Sequence, residues 1–600
     1  MDILMLFVLL IIAASFGMRI LKLFRFEFED LLEASAFSLC IGLGLIAYMV
    51  FIMGLAGILS GLVIASLLFL LTLLSFKEMA EMLRRIISFL RRPDMSRLHI
   101  FFLVFILLAC AITLIGALSP PLGNDSLAYR LVHVKAFSQA QRVSYIPYAR
   151  ESLWPYLIEM LFTLGFAIGS DILAKLIAWS FGLLGAFLIY TAAKRYFSRT
   201  AGYISSVIFL LTPAIFNQMT HSYVDIAQAV YAFASLLCLL RYFKEREMKW
   251  AALAGLFCGF VLSIKFTAII TLLTLLVLFI HGLIRAPGRR ASILKGLCLF
   301  LLFTGLFSVC WYLRAYIIKQ NPLYPYVAGV FGGHGWARGA TGVIGAEFTI
   351  ARFLKLPWTM TMHTGRYGIE HLGVAYLLFL PLVFLIDRKR TFFRAFGLFI
   401  VIYAALWFYI DPHVNRFLFP VLLPLSVMLG CGLSIAFQRR GLFYNIIKAV
   451  FVGVFVFNIG LLLYQNTGRV KVAFGKESRQ QYLLRTERTY LIADYVNKNL
   501  PKDATILMIG EIRSYYIDRS CIHLLNLVDE EKVSEETLKS RQFLDELKKK
   551  RIGYVLWYEQ KTDYAWLQEL EEKKAPIYTC DLVGSDGERY SYKLFEINEL

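Results

Sequence analysis

Apolar segments of about 20 residues recur along most of the chain, separated by short polar loops. As a helix, a segment of this length crosses the roughly 30 Å hydrocarbon core of a bilayer and satisfies its backbone polar groups without water. The pattern predicts fourteen membrane-spanning helices, at about 3–18, 33–53, 58–75, 98–118, 172–191, 200–214, 224–241, 250–264, 266–283, 294–313, 372–386, 393–410, 417–436 and 444–464.

Segment 153–169 is also apolar but is not predicted to span. It carries Trp154, Pro155 and Tyr156 at its start and Glu159 soon after, which is typical of an interfacial or re-entrant helix. If it does not cross and the N-terminus lies outside, the Lys/Arg-rich loops all fall on one side, which the positive-inside rule makes cytoplasmic. Loops 119–171 and 317–371 and the chain after about 465 are then outside.

The pattern changes near residue 475. Short apolar runs of strand length, such as 504–510 and 552–558, alternate with amphipathic helical patterns, such as 488–501 and 535–551. The sequence therefore predicts an all-α polytopic domain over 1–465, including the two outer loops. A small, soluble, extracytoplasmic α/β domain is predicted over 475–600.

Composition supports a membrane protein, because 58% of the 600 residues are hydrophobic and only 17% are charged. The net charge of +20 arises before Gly475, since the tail holds 20 Lys/Arg against 23 Asp/Glu. The positive-inside rule explains this excess without a nucleic-acid partner. Cys521 and Cys580 lie in the tail and could pair if it is extracytoplasmic.

Acidic residues are rare before the tail, so those predicted at the outer face are informative. Acids at membrane depth are costly unless they pair or line a wet cavity, which makes them functional candidates. We single out two of them, Asp125 shortly after the 98–118 helix and Asp225 at the start of the 224–241 helix. The full outer set is Asp2, Asp125, Glu151, Glu159, Asp171, Asp225, Glu347, Glu370 and Asp411.

Each acid also has a structural explanation. Asp125 could be a solvated loop acid, and Asp225 could cap its helix, where the helix dipole favours negative charge. Neither position alone decides between structure and function.

Three cations complete the outer face. Lys265 lies at a turn between two hairpin helices, Arg314 at the end of a helix after Trp311, and Arg416 at the start of another helix. Snorkelling or interfacial anchoring would also explain them. Together they suit an anionic group such as phosphate. A carboxylate beside such cations suits transfer from a phosphorylated lipid, because the base can deprotonate an acceptor hydroxyl while the cations stabilise the departing phosphate.

The order of motifs resembles the GT-C membrane glycosyltransferases, in particular the bacterial group related to protein O-mannosyltransferases and the aminoarabinose–lipid A transferase. In these, the first outer loop begins with an Asp-x-x-x-Tyr-His motif, and the corresponding residues here run from Asp125 to Arg130. The other matching stretches are "LWPYLIEM" (153–160), Asp225, the Gly-rich helix with Gly255 and Gly259 before Lys265, Trp311 and Arg314 before "NPLYP" (321–325), and Arg416, Phe417 and Pro420.

The resemblance implies a catalytic Asp125, a polyprenyl-phosphate sugar donor and an acceptor hydroxyl on a lipid, polysaccharide or protein. Asp225 would orient the donor sugar or the acceptor, and Lys265, Arg314 and Arg416 would bind donor phosphate. A divalent metal on Asp125 and Asp225 is possible, and no other cofactor is expected. The residues implied in support are Asn124, Tyr129, Arg130, His133, Glu159 and His221.

The chain departs from the family pattern in two places. Arg130 stands where the usual histidine would be, so a histidine role cannot be assigned there, although His133 is near. The usual Pro-Pro pair is reduced to Pro155. The WWDYG motif of oligosaccharyltransferases is missing from the sequence, which argues against transfer of a whole glycan to asparagine.

We therefore expect an inverting glycosyltransferase in the bacterial inner membrane, with its site on the outer face. An O-antigen-type ligase or polymerase is the alternative among enzymes. A lipid or sugar transporter is the alternative among other classes, although transporters usually show two similar halves and this sequence has no such repeat. A scaffold that presents the tail is a third alternative.

Overall fold

The computed structural model describes residues 1–91, 95–331, 349–363, 371–387, 389–410, 414–540, 542–559, 564–583 and 589–597. The predicted acids Glu347, Glu370 and Asp411 lie outside these residues, as does part of the predicted loop 317–371. The chain is mostly helical, with one small sheet near its C-terminus, which confirms the predicted fold class.

Among the described residues, nine helices are long and apolar enough to cross a membrane. Two bent pairs could each supply one more span, Gly61–Leu74 with Phe76–Arg84 at 69° and Pro287–Leu306 with Val309–Lys319 at 50°. The nine are Asp2–Leu23, Leu31–Leu55, Arg97–Ala117, Asp171–Tyr196, Asp225–Glu245, Phe266–Arg285, Thr391–Tyr409, Asn415–Gln438 and Leu442–Ala473.

By this criterion, the described residues hold nine to eleven candidate spans, against the fourteen predicted. The helices at three predicted spans are shorter than 18 residues: Arg199–Leu210, Met248–Leu262 and Ala375–Leu385. The first has 12 residues and rises only about 18 Å. An apolar run also counts residues that form the turns at helix ends, such as Leu211 and Thr212, so run length overestimates helix length.

Segment 153–169 contains the helix Leu157–Ala167, whose 11 residues are too few to cross. Residues Leu157 to Gly165 of this helix are all buried. It packs between the helices Leu31–Leu55 and Asp171–Tyr196. Of the two predicted arrangements, the structure favours a re-entrant helix inside the bundle over one lying in the interface.

The bundle has a buried centre and a more exposed rim. Asp225–Glu245 and Asn415–Gln438 are central, with 94% and 89% of their apolar windows buried, against 22% for Leu442–Ala473. A central helix whose first residue is charged needs a partner for that charge. Shorter helices complete the packing at Leu131–Gln139 and Pro213–Gln218.

The tail forms a five-stranded sheet in the order β2-β1-β3-β5-β4. β1 pairs in parallel with β2 and β3, whereas β5 is antiparallel to β3 and β4. The strands are β1 Thr505–Ile509, β2 Ser520–His523, β3 Tyr554–Tyr558, β4 Tyr578–Val583 and β5 Arg589–Glu596. Helices flank them at Arg479–Thr486, Tyr490–Asn499, Leu524–Glu531, Glu535–Lys539, Gln542–Lys549 and Ala565–Lys573.

The two tail cysteines do not form a disulfide. Cys521 lies in β2 and Cys580 in β4, which are the two opposite edges of the sheet, and both thiols are free. With three strands about 4.8 Å apart between them, the cysteines are too distant to be bridged.

The two ends of the bundle differ in their charged residues. Helix Asp171–Tyr196 begins beside the tail, where Arg479 pairs with Asp171. Its other end carries Lys194 and Arg195, which pair with Asp30 and Glu33. Further basic loops lie at this second end, where Lys249 donates to the Arg25 carbonyl and Arg390 donates to the Tyr196 carbonyl. The positive-inside rule leads one to expect such a grouping of basic loops.

Candidate active site

Asp125 lies in an irregular segment that follows the helix Arg97–Ala117. Pro120 and Pro121 cannot donate backbone hydrogen bonds, and Asp125 immediately precedes a single π-helical turn, Ser126–Arg130. Such turns are frequent at functional sites. This turn brings the Tyr129 hydroxyl back to the carboxylate of Asp125, to which it donates at 2.8 Å on Oδ2.

Gly123 shapes the approach to this turn. Its φ of +94° is in the left-handed region, and a Cβ there would lie 2.7 Å from His221 Cδ2 and 2.9 Å from the Tyr223 hydroxyl. Nδ1 of His221 is 2.8 Å from the Asn217 carbonyl, and its ring stacks on Tyr223. His221 therefore supports the backbone beside Asp125.

Asp225 is the first residue of the buried helix Asp225–Glu245, and Lys265 is its partner. The ammonium group of Lys265 donates to Asp225 Oδ1 at 2.9 Å and lies 3.6 Å from the centre of the Phe417 ring. Asp225 Oδ2 is buried and accepts no hydrogen bond from the described part of the chain. A ligand hydroxyl would satisfy this oxygen.

Arg416 connects the two aspartates. Its Nη2 donates to Asp125 Oδ2 at 2.8 Å, and its Nε lies 4.0 Å from Asp225 Oδ2. Its guanidinium also lies over Tyr223 and Phe417. The structure thus brings four predicted residues together, Asp125, Asp225, Lys265 and Arg416, although they are far apart in sequence.

The electrostatics favour an ionised Asp125. Burial alone would raise its pKa, but the positive charges of Arg416, Arg130 and Lys265 outweigh burial and hold the pKa below its ordinary value of 3.8. Both hydrogen bonds recorded for this carboxylate end on Oδ2. No described residue donates to Oδ1, which leaves that oxygen available to a substrate.

Arg130 and Glu159 form a buried ion pair beside these groups. Both side chains are almost inaccessible to solvent, and the pair joins the π-helical turn to the helix Leu157–Ala167. Arg130 also lies over the Tyr129 ring. Arg130 therefore acts here as the partner of Glu159.

Within the described residues, neither Arg314 nor His133 is paired with Asp125 or Asp225. Arg314 Nη1 donates to the Ser152 carbonyl at 2.9 Å, and within the described residues no carboxylate pairs with it. His133 Nδ1 is 2.9 Å from the Tyr156 hydroxyl, and burial lowers the pKa of the imidazole to about 4. His133 is thus neutral at physiological pH.

The remaining predicted residue, Asn124, is exposed, and no hydrogen bond links its side chain to the described part of the chain. The sequence analysis assigned no role in the site to three aromatic residues that line it, Tyr223, Phe417 and Trp154. The ring of Trp154 lies 5.5 Å from that of Tyr129. Two of them could have been found from the sequence by their closeness to predicted site residues, because Phe417 follows Arg416 and Tyr223 precedes Asp225 by two residues.

A metal does not fit the two aspartates as they are arranged. No group of three potential metal ligands from His, Cys, Asp and Glu occurs among the described residues. The Arg416 guanidinium contacts both Asp125 and Asp225, where a bridging cation would bind. We therefore derive no step through a metal.

Comparisons with known proteins agree with this architecture. Residues 153–312 match the family model described as dolichyl-phosphate-mannose-protein mannosyltransferase. The structure of ArnT from Cupriavidus metallidurans bound to undecaprenyl phosphate superposes with a TM-score of 0.55 at 14% identity, covering 82% of this chain and 97% of ArnT. The chain has the GT-C fold.

Apo ArnT from the same organism gives the same GT-C match, with a TM-score of 0.56 at 14% identity over 83% of this chain and 98% of ArnT. No curated protein matches the chain. The GT-C fold and the apolar helices together identify an integral membrane protein. The family model includes Glu159, Asp225 and Lys265, whereas Asp125 and Arg416 lie outside the matched residues.

Proposed function

We propose that this protein is an inverting glycosyltransferase that moves a sugar from a polyprenyl-phosphate donor to an acceptor hydroxyl. One observation carries the proposal. On a GT-C fold, the ionised Asp125 has one oxygen held by Tyr129 and Arg416 and the other oxygen free of the described side chains. An ionised carboxylate with a free oxygen can accept the proton of an acceptor hydroxyl that lies within hydrogen-bond reach.

Asp125 Oδ1 takes the proton of the acceptor hydroxyl. The acceptor oxygen then forms a bond to the anomeric carbon of the sugar, while the bond from that carbon to the phosphate oxygen breaks. The polyprenyl phosphate leaves with the bonding electron pair, and the configuration of the sugar inverts. A single displacement needs one base and no covalent sugar–enzyme intermediate.

Charge balance supports Arg314 as the principal phosphate ligand. Each site carboxylate is already paired with one cation, so these pairs carry no net charge. Arg314 adds a positive charge without a carboxylate partner among the described residues, and its guanidinium can hold a phosphate through two hydrogen bonds. The balanced pairs are Asp125 with Arg416, Asp225 with Lys265, and Glu159 with Arg130.

Arg314 and Asp125 contact neighbouring parts of one stretch of chain. Arg314 donates to the Ser152 carbonyl, and Trp154, two residues later, packs on Tyr129, which holds Asp125. A phosphate on Arg314 would therefore lie near the carboxylate. Lys265 and Arg416 would keep Asp225 and Asp125 ionised and add favourable charge for the leaving phosphate.

Asp225 has a separate role in this proposal. Its buried Oδ2 accepts no hydrogen bond from the described residues, so a hydroxyl of the donor sugar would satisfy it. The Asp225 side chain would then orient the sugar so that its anomeric carbon faces the acceptor oxygen.

We place the site at the outer face of a bacterial inner membrane, because the basic loops gather at the opposite end of the bundle. The donor would reach the site laterally from the outer leaflet, and the soluble tail would be extracytoplasmic. The acceptor is a lipid, a polysaccharide or a protein that carries a hydroxyl group.

The test uses purified full-length protein in lipid vesicles, with polyprenyl-phosphate donors labelled in the sugar. We expect the label to leave the donor, either onto an acceptor from the cell envelope or slowly onto water. Label that crosses the membrane while still attached to intact donor would instead identify a transporter. No turnover with any hexose or pentose donor, in the presence of envelope extract, would overturn the proposal.

A further inference from the structure

One loop of the tail contacts the Asp125 segment, residues 119–130, on both sides of the aspartate. The backbone N–H groups of Ser514 and Tyr515 both donate to the Leu127 carbonyl at 3.1 Å. The hydroxyl of Tyr516 donates to the Pro121 carbonyl at 2.7 Å. These contacts lie four residues before Asp125 and two residues after it.

The Asp125 segment needs such support because its own backbone provides little. The helix before it ends at Ala117, two prolines follow, and Gly123 is in the left-handed region. Lys175 holds the first part, donating to the carbonyls of Gly116 at 2.9 Å and Ser119 at 2.6 Å. The later part is held by the tail.

Tyr516 is well placed to hold a backbone carbonyl because its own position is fixed. Its ring packs against Tyr490 and Tyr515, with centroids 5.4 and 4.9 Å away. Its backbone carbonyl accepts from Asn497 Nδ2 at 2.9 Å. Tyr490 and Asn497 belong to the helix Tyr490–Asn499. Tyr516 therefore links this helix of the tail to the backbone at Pro121.

We propose that Tyr516 is a positioning residue for Asp125, and that the C-terminal domain is therefore a working part of the transfer site. The inference rests on the proposed function. Without the Tyr516 hydroxyl, the backbone at Pro121 is held less tightly, and Oδ1 of Asp125 spends less time aligned with the acceptor. Misalignment of a base lowers the rate of the chemical step and leaves donor binding largely intact.

The test compares Tyr516→Phe with Tyr495→Phe in the full-length protein. Tyr495 is a matched control because its hydroxyl also donates to a backbone carbonyl, that of Ile577 at 3.2 Å, but within the tail. We expect Tyr516→Phe to lower kcat about fivefold, as loss of one hydrogen bond allows, with the donor KM unchanged. Tyr495→Phe should leave both parameters unchanged.

Hydrogen–deuterium exchange gives a readout that does not depend on turnover. Amides within residues 119–130 should exchange several-fold faster in Tyr516→Phe, but not in Tyr495→Phe, because opening of this segment becomes easier. Unchanged exchange, or an equal loss of kcat in both variants, would overturn the inference. If the wild-type protein transfers no sugar but Tyr516→Phe still exchanges faster than wild type, the proposed function is rejected. The coupling between the tail and the Asp125 segment is then still supported.

Discussion

Two buried charge clusters lie at opposite ends of the same bundle. At the end away from the tail, Glu33 accepts from Arg195 at 3.0 Å and pairs with Arg241 at 2.5 Å. At the tail end, Asp125 and Asp225 pair with Arg416 and Lys265 at similar distances. Distance alone therefore does not distinguish the two clusters.

The difference lies in what each cluster leaves unsatisfied. The Glu33 cluster is enclosed, since the Arg241 guanidinium lies over Trp250 and Phe28 at 4.3 and 4.8 Å, and it joins three long helices. Within the described part of the chain, its one unsatisfied arginine atom, Nη2 of Arg241, still lies 2.5 Å from the Glu33 carboxylate. At the tail end, the buried Oδ2 of Asp225 has no donor among the described residues, and the Arg416 Nε lies 4.0 Å away from it. A cluster that only stabilises can satisfy itself, whereas a binding site keeps groups for its ligand.

The largest expected effect comes from Asp125→Asn. Loss of the general base should lower kcat by about 10² to 10⁴ with the protein still folded, measured by sugar release from labelled donor. Asp494→Asn is the matched control, since Asp494 lies in the tail and pairs with Lys498 one helical turn away. Near-normal turnover in Asp125→Asn would exclude Asp125 as the base.

Glu33→Gln should lower the stability of the protein and leave turnover unchanged, which is the reverse of the result expected for Asp125→Asn. Removing the carboxylate leaves Arg241 buried with a weaker partner, which should cost about 3–5 kcal/mol of stability. The measurement is thermal unfolding in detergent, with kcat per folded molecule expected to be unchanged. Glu29→Gln is the control, because Glu29 is exposed. If Glu33→Gln abolished turnover without loss of stability, the contrast between the clusters would be wrong.

Arg314→Gln should weaken donor binding. Loss of a charged hydrogen bond to phosphate is worth about 1.5–3 kcal/mol, so the donor KM should rise about 10- to 100-fold. Lys319→Gln is the control on the same helix, because Lys319 pairs with Glu530 in the tail at 3.0 Å. An unchanged KM in Arg314→Gln would remove Arg314 as the phosphate ligand.

The smallest expected effect is a shift in pH dependence. The base must be ionised, and the pKa of Asp125 lies below 3.8, so the wild-type kcat/KM should not lose activity to Asp125 until about pH 4 or lower. In Arg416→Gln, one of the positive charges that counteract burial is lost, so the pKa of Asp125 rises. The acidic limb of the kcat/KM profile should then move to higher pH. A limb at the same pH in both proteins would show that Arg416 does not set this pKa.

Some of the site could be predicted from local sequence. A lysine predicted on the outer face opposes the positive-inside rule, and an acid at membrane depth is costly, so Lys265 and Asp225 were candidates without any structure. Tyr223 and Phe417 were given no role in the site, because an aromatic residue in an apolar chain resembles a core residue until a cation is known to lie on its face.

Other features depend on three-dimensional contacts that no spacing encodes. Arg416 is 291 residues from Asp125, and sequence could not show that one guanidinium would contact both aspartates. The pairing of Arg130 with Glu159 and the hydrogen bond from Tyr516 to Pro121 could not be predicted for the same reason, because sequence spacing does not encode either contact.

The sequence by itself determined the class of the molecule, because the length and polarity of its apolar segments leave helices in a membrane as the stable arrangement, and it marked which acids and cations were out of place there. Only the tertiary structure decided how those charges pair. A pairing depends on distances of a few ångströms between helices. Within the described residues, these distances leave Asp125 Oδ1 and Asp225 Oδ2 without a hydrogen-bond donor and Arg314 without a carboxylate partner.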